Sequence, residues 1–196
     1  MKKTWIILGV VGLLIVWLIS SAIGSYNGMV TREEGVTGQW AQVENVYQRR
    51  ADLIKNLVNT VKGYAAHEKE TLEGVVEARA KATQTTIDPS KLNAESIKQF
   101  AAAQDGLSSA LSKLMVVVER YPDLKANQNF LELQAQLEGT ENRIAVERKK
   151  FNDTAKDYNT FIRKFPKNLY AGMFGFDKKD YFESQEGSDK APEVKF

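Results

Sequence analysis

TWIILGVVGLLIVWLISSAI (residues 4–23) carries no charge over twenty positions, and a heptad pattern of apolar side chains follows almost directly behind it. Twenty helical residues rise about 30 Å, the thickness of a bilayer's hydrocarbon core. Peptide groups in that medium must satisfy one another, so the run is expected to be a helix. Trp5 and Trp17 lie toward its two ends, and Gly9 and Gly12 are three apart rather than the four of a close-packing GxxxG pair. Ser20 and Ala22 satisfy the small-x-small rule of a signal-peptide cut, but the apolar stretch is much longer than a signal core of about 7–15 residues. The expectation is an uncleaved single-pass anchor over residues 1–25. With no cysteine, a lipoprotein is excluded.

Lys2 and Lys3 precede the run, while the next dozen residues behind it offer Arg32 against Glu33 and Glu34. By the positive-inside rule the N-terminus stays in the cytoplasm and the body is exported. The expected address is therefore a membrane crossed once, with the body on its outer side. Setting Lys2 and Lys3 aside from the 27 basic residues leaves 25, against 25 acidic ones. A balanced surface argues against nucleic acid, which needs a basic face, and against overall electrostatic docking on anionic lipid.

Behind the anchor, Val36, Trp40, Val43, Tyr47, Ile54, Leu57, Val61, Tyr64, Leu72 and Val75 recur in steps of mostly three and four, with Arg50 in the one heptad position that is not apolar. Such a repeat marks helices packing at shallow angles. A second periodic segment runs from near Asn93 to Val118, and a third from about Ala126 to Phe165. Prolines 89, 122 and 166 fall between or after them, where a residue without an N–H is tolerated. No stretch alternates with period two long enough for a strand.

The expected fold is all-α: a transmembrane helix continuing into a long antiparallel up-and-down bundle over residues 26–182, of three long helices, or four if the first breaks. A continuous first helix from Gly28 to Gln84 would extend about 85 Å, against about 40 Å and 60 Å for the others. Gly63 and Gly74 are weak points, but a glycine costs only about 1 kcal/mol relative to alanine, so a continuous helix is favoured. Val36, Trp40, Val43 and Tyr47 would then lack full cover from their own chain, which makes them the candidate interface of a homo-oligomer. The alternative is that the third helix covers them.

Arg50, Asp52 and Asn56 are candidates for a polar layer that sets register within the seam, the best-attested use of a buried Arg–carboxylate pair. Tyr170, Met173, Phe174 and Phe176 form an aromatic patch, read either as a plug on the bundle end or as a docking motif for a partner or lipid. Residues 183–196 are polar and expected to be disordered. No catalytic constellation is complete. His67 is the single histidine, so neither a paired-histidine nor a thiolate zinc site can form, and no phosphate-binding glycine loop is present. Neither a metal nor a cofactor is expected.

Longer blocks carry a family resemblance. Tyr26-Asn27, Trp40, RRADLIKNLVNTVKGYAAHE (49–68), Glu77-Ala78-Arg79, YPDLKANQNFLELQAQLEGTENRIAVERKKFND (121–153), Tyr158-Asn159, Phe165-Pro166 and FGF (174–176) together resemble the LemA family of bacterial membrane proteins. The resemblance implies a single-pass anchor on a helical bundle and brings no catalytic residues. Family members typically read DLIPNLV where this chain has Lys55, and losing that proline favours a straighter first helix. The function expected is that of a non-enzymatic, membrane-anchored structural or interaction protein of the envelope, self-assembling through its first helix. The alternatives are a membrane-shaping lattice, or an adaptor that docks another envelope protein through the aromatic tail.

Overall fold

The computed structural model describes residues 2–183; residues 184–196, nearly all of the tail expected to be disordered, lie outside it. Six helices follow in order: α1 (Lys2–Lys62), α2 (Lys69–Gln84), α3 (Ala94–Val118), α4 (Pro122–Lys125), α5 (Gln128–Arg163) and α6 (Lys167–Phe174), with a short 3-10 turn at Pro89–Lys91. No strand occurs among the described residues.

Local chemistry sets most of these boundaries. The Asn93 side chain accepts from Ser96 N while the Ser96 hydroxyl accepts from Asn93 N, a reciprocal cap that satisfies two otherwise orphaned donors at the start of α3. Asn127 does the same work for α5, accepting from Phe130 N at 3.0 Å. Pro166 immediately precedes α6. Gly175 ends it at φ +75°, a left-handed conformation that costs glycine no Cβ clash.

The expectation of one helix through to Gln84 is corrected. α1 ends at Lys62 in a tightened turn, with Gly63 N on Thr60 O and Tyr64 N on Val61 O, and the chain folds back as α2. Length explains the break. From Gly28 to Lys62 α1 extends about 52 Å, close to the 54 Å or so of α5's 36 residues. A longer α1 would carry Leu72, Val75 and Ala82 past the end of its partner, whereas folded back they are buried in a core shared with α3. Burying three apolar side chains outweighs the roughly 1 kcal/mol that separates glycine from alanine in a helix. Lys55 lies within uninterrupted helix.

The result is an up-down-up-down bundle of α1, α2, α3 and α5. At the distal end, Arg120 and the Tyr121 hydroxyl both donate to Glu68 Oε1 at 3.0 Å, and Asn127 Nδ2 donates to the Tyr64 hydroxyl at 2.9 Å. The motif-like stretch 60–68 thus joins two turns, and His67 is exposed in one of them. At the other end α1 continues without interruption into the apolar run. It is the one helix among the described residues long and apolar enough to cross a membrane, and that run has no cover from the rest of the chain.

The antiparallel α1–α5 pair is registered by Arg32–Asp157 at 3.1 Å, Gln39–Glu147 at 2.7 Å and Arg50–Glu141 at 2.9 Å. Near the span the helices approach closely: a Cβ on Gly28 would stand 2.6 Å from Phe161 Cζ, while one on Gly38 would meet nothing within 4 Å. Gly38→Ala should therefore gain up to about 1 kcal/mol of helix propensity. Gly28→Ala should lose that gain to overpacking of about 1–3 kcal/mol. Denaturant midpoints of the two variants in detergent should move in opposite directions.

Candidate functional site

The seam expected to be bare is filled. Val36, Trp40 and Val43 are fully buried and Tyr47 nearly so, and their cover comes from their own chain. Trp40 meets Phe100 and Phe151 edge-on at 5.2 and 5.5 Å and stacks on Phe182 at 5.7 Å, while Tyr47 meets Phe100 edge-on at 5.0 Å. The third periodic segment supplies part of this cover, as the alternative reading held. The C-terminal segment supplies the rest. A candidate oligomer interface at these four residues is corrected accordingly: they belong to the interior of one subunit.

That C-terminal segment is a strap. After α6, residues 176–183 run back along α5 with little regular structure of their own, and side chains of α5 satisfy their backbone. Asn159 accepts from Lys179 N at 2.9 Å and donates to Lys179 O at 2.7 Å, and Asn152 makes the same reciprocal pair with Phe182 N and O at 2.9 Å each. The Tyr158 hydroxyl donates to Asp177 O at 2.9 Å and Arg148 donates to Glu183 O at 3.0 Å. A buried extended segment needs such partners for its peptide groups. Lys179, itself buried, reaches α1 through Glu33 at 2.7 Å, and Asp180 accepts from Ala94 N at the start of α3. Burial, with the Glu33 and Asp177 carboxylates nearby, pushes the Tyr158 phenol well above its ordinary value, so it stays a neutral donor.

The polar candidates divide. Arg50 is buried in the seam, and its guanidinium donates to Glu141 Oε1 on α5 and Gln104 O on α3, both at 2.9 Å, and to Ser108 Oγ at 3.1 Å. Gln104 and Thr140 are buried beside it, so a polar layer separates an apolar cluster around Trp40 from a second one around Leu57 and Leu114. Asp52 and Asn56 are corrected. Asp52 faces outward to Gln48 and Arg79, and Asn56 is exposed, because each lies off the seam by its helical phase. Hydrogen bonds from Lys150 and Gln39 hold the Glu147 carboxyl below its usual range.

The aromatic patch also divides. Tyr170 and Phe176 pack partly buried against the core, and Tyr26 on α1 meets Phe174 and Phe176 edge-on at 5.2 and 5.6 Å. Met173 remains 75% exposed and Phe174 44%. The plug and the exposed patch are thus two faces of one short helix.

Among the described residues, no three His, Cys, Asp or Glu side chains gather as a metal site. The cavities are open clefts. One of about 230 Å³ lies between α1, α2 and α3 beside Tyr47, Thr83 and Gln104.

Fold and site define a class: an all-α bundle built on an apolar N-terminal helix and closed by a C-terminal strap. The chain belongs to the LemA family, whose model matches residues 39–196. It is 29% identical over 192 residues to magnetosome protein MamQ 2 of Paramagnetospirillum magneticum, covering 89% of this chain and 71% of that protein. The same figures hold for magnetosome protein MamQ of Magnetospirillum gryphiswaldense. Protein LemA of Metamycoplasma hominis is 22% identical over 164 residues, covering 84% of this chain and 71% of that protein.

Arg50 is buried, whereas Glu141 keeps half of its side chain in solvent. Arg50→Ala should therefore cost about 2–4 kcal/mol, through the void and the polar partners it strands. Glu141→Ala should cost less, about 1–2 kcal/mol, because water can enter the space left by its half-exposed carboxylate while Arg50 keeps Gln104 O and Ser108 Oγ. Chemical denaturation of both variants checks this asymmetry.

Proposed function

We propose that this chain is a non-enzymatic, single-pass structural and interaction protein of the bacterial envelope, which holds a rigid helical bundle against the outer face of the cytoplasmic membrane. One observation carries the reading: the apolar run and the core helix of the bundle are the same uninterrupted helix, α1. No linker separates anchor from body, so the bundle's height and tilt follow those of the span. The strap strengthens this coupling by tying α1, α3 and α5 together near the point of exit. The lysines ahead of the span and the near absence of basic excess behind it support export of the body. The names of the relatives, a magnetosome protein and LemA, support a membrane role and refer to no reaction.

Self-association belongs to this reading, but its seat moves. With Val36 to Tyr47 occupied inside the bundle, the long continuous apolar surface open to a second copy is the uncovered span. Cysteine substitution tests this cleanly, because the chain has none of its own. With copper–phenanthroline as the oxidant, cysteines placed in turn at exposed positions of the span, Leu13→Cys among them, should give disulfide-linked dimers in native membranes where they face a second copy. Val43→Cys, fully buried, should form none. Cross-linking at Val43 would restore the first-helix interface, and the absence of cross-links along the span would remove self-association from the account. A reporter fused after Phe196 that works only in the cytoplasm would overturn the export of the bundle.

A further inference from the structure

The outer face of α6 and Phe165, two residues before it, are apolar and exposed. Phe165 is 81% exposed and Leu169 57%, more than is usual for side chains of their size in a well-packed bundle. Leu169 and Met173 are four residues apart on α6 and so share one face. Their height relative to the span follows from the register of α1 and α5. Arg32 pairs with Asp157, and Gly28 faces Phe161 one turn nearer the span. The same register puts the last residue of α5, Arg163, level with Tyr26, three residues beyond the apolar run, and Phe165 follows two residues after it. Tyr26 holds Phe174 at the same level, about 4.5 Å of helical rise beyond Ile23.

Charge is placed to match. The chain reads Arg163-Lys164-Phe165-Pro166-Lys167, three cations in five residues, within a body whose overall charge is balanced. Arg163 and Lys164 are exposed, and Lys167 lies over the Phe161 ring at 3.7 Å. Aromatic and long aliphatic side chains flanked by Lys and Arg are the composition of an element seated at the headgroup boundary.

We propose that Phe165 and α6 form an interfacial foot. Phe165, Leu169 and Met173 enter the headgroup–acyl boundary of the leaflet from which α1 emerges, and Arg163 and Lys164 meet lipid phosphates. This rests on the anchored reading of α1. The continuity of the patch with the end of the span selects lipid as its occupant. The foot and the span make two points of contact, so the bundle is held at a set tilt rather than swivelling on one helix.

Single-cysteine variants of the full chain, labelled with an environment-sensitive fluorophore, test this in vesicles of phosphatidylethanolamine and phosphatidylglycerol doped with brominated lipid. Labels at Phe165→Cys, Leu169→Cys and Met173→Cys should be quenched several-fold more strongly than one at Val116→Cys, exposed near the distal end. A label at Ile19→Cys reports the span. Quenching at Ile19 without quenching at the foot overturns the foot and leaves the anchor standing. Loss of quenching at both overturns the anchor as well. A water-excluded emission at Leu169 that is indifferent to brominated lipid and lost at one chain per vesicle assigns the patch to a second copy, and likewise overturns the proposal.

Discussion

Helical continuity through the point where α1 leaves its apolar run is the constraint on which the rest of the molecule depends. A span in hydrocarbon has no choice but to close its hydrogen bonds internally. The residues behind it have that choice, and the bundle removes it by burying one face of α1 from Ser25 onward. Isolated helices are marginal in water, and packing rather than propensity holds most of them. Here α6 and the strap meet Tyr26 within a turn of Ile23, and α5 follows at Gly28. The same helix is therefore stabilised by lipid at one end and by its own subunit at the other, with no segment left unsupported between.

Length and polarity then set the remaining architecture. Once α1 and α5 are paired, the portion of α1 that needs cover equals α5 in extent, and whatever follows Lys62 must fold back. Arg50 bonds across that pairing to α5 and also to α3. A guanidinium that reaches α3 and α5 together cannot keep its partners after a one-turn slip of any of the three helices. The penalty for losing them in a buried site is large compared with the small differences among apolar registers. The polar layer lies between the two apolar clusters, and only one alignment of the helices keeps all of its hydrogen bonds.

How much of this was legible follows from the physics of each signal. The boundaries of α3 and α5 were readable because Asn93, Asn127 and the prolines act locally. Arg50 was readable because it interrupts a heptad. The break at Gly63 was not, since its local cost is small and the heptad continues through it; the deciding term was the length of a partner distant in sequence. Cover of Trp40 was missed for a related reason. Phe182 comes from an irregular segment without periodicity, held by Asn152 and Asn159, which look like surface residues in isolation. Their one signal was spacing: each adjoins a buried aromatic, Phe151 or Tyr158, seven residues apart on α5. Asp52 and Asn56 were misplaced because proximity in sequence to Arg50 was weighed over helical phase.

Within the LemA family, this chain is best understood as a rod whose inner part is a span and whose outer part is a strapped core. Such a rod carries the position of its apolar end through to its bundle. The most direct test is a distance across the exit point. Spin labels on Ile19→Cys and the exposed Asn45→Cys, with the full chain in lipid, should give a single narrow distribution centred at about 39 Å, the rise of 26 helical residues. A broad or two-peaked distribution would mean that α1 bends or melts between span and bundle, and would contradict the account.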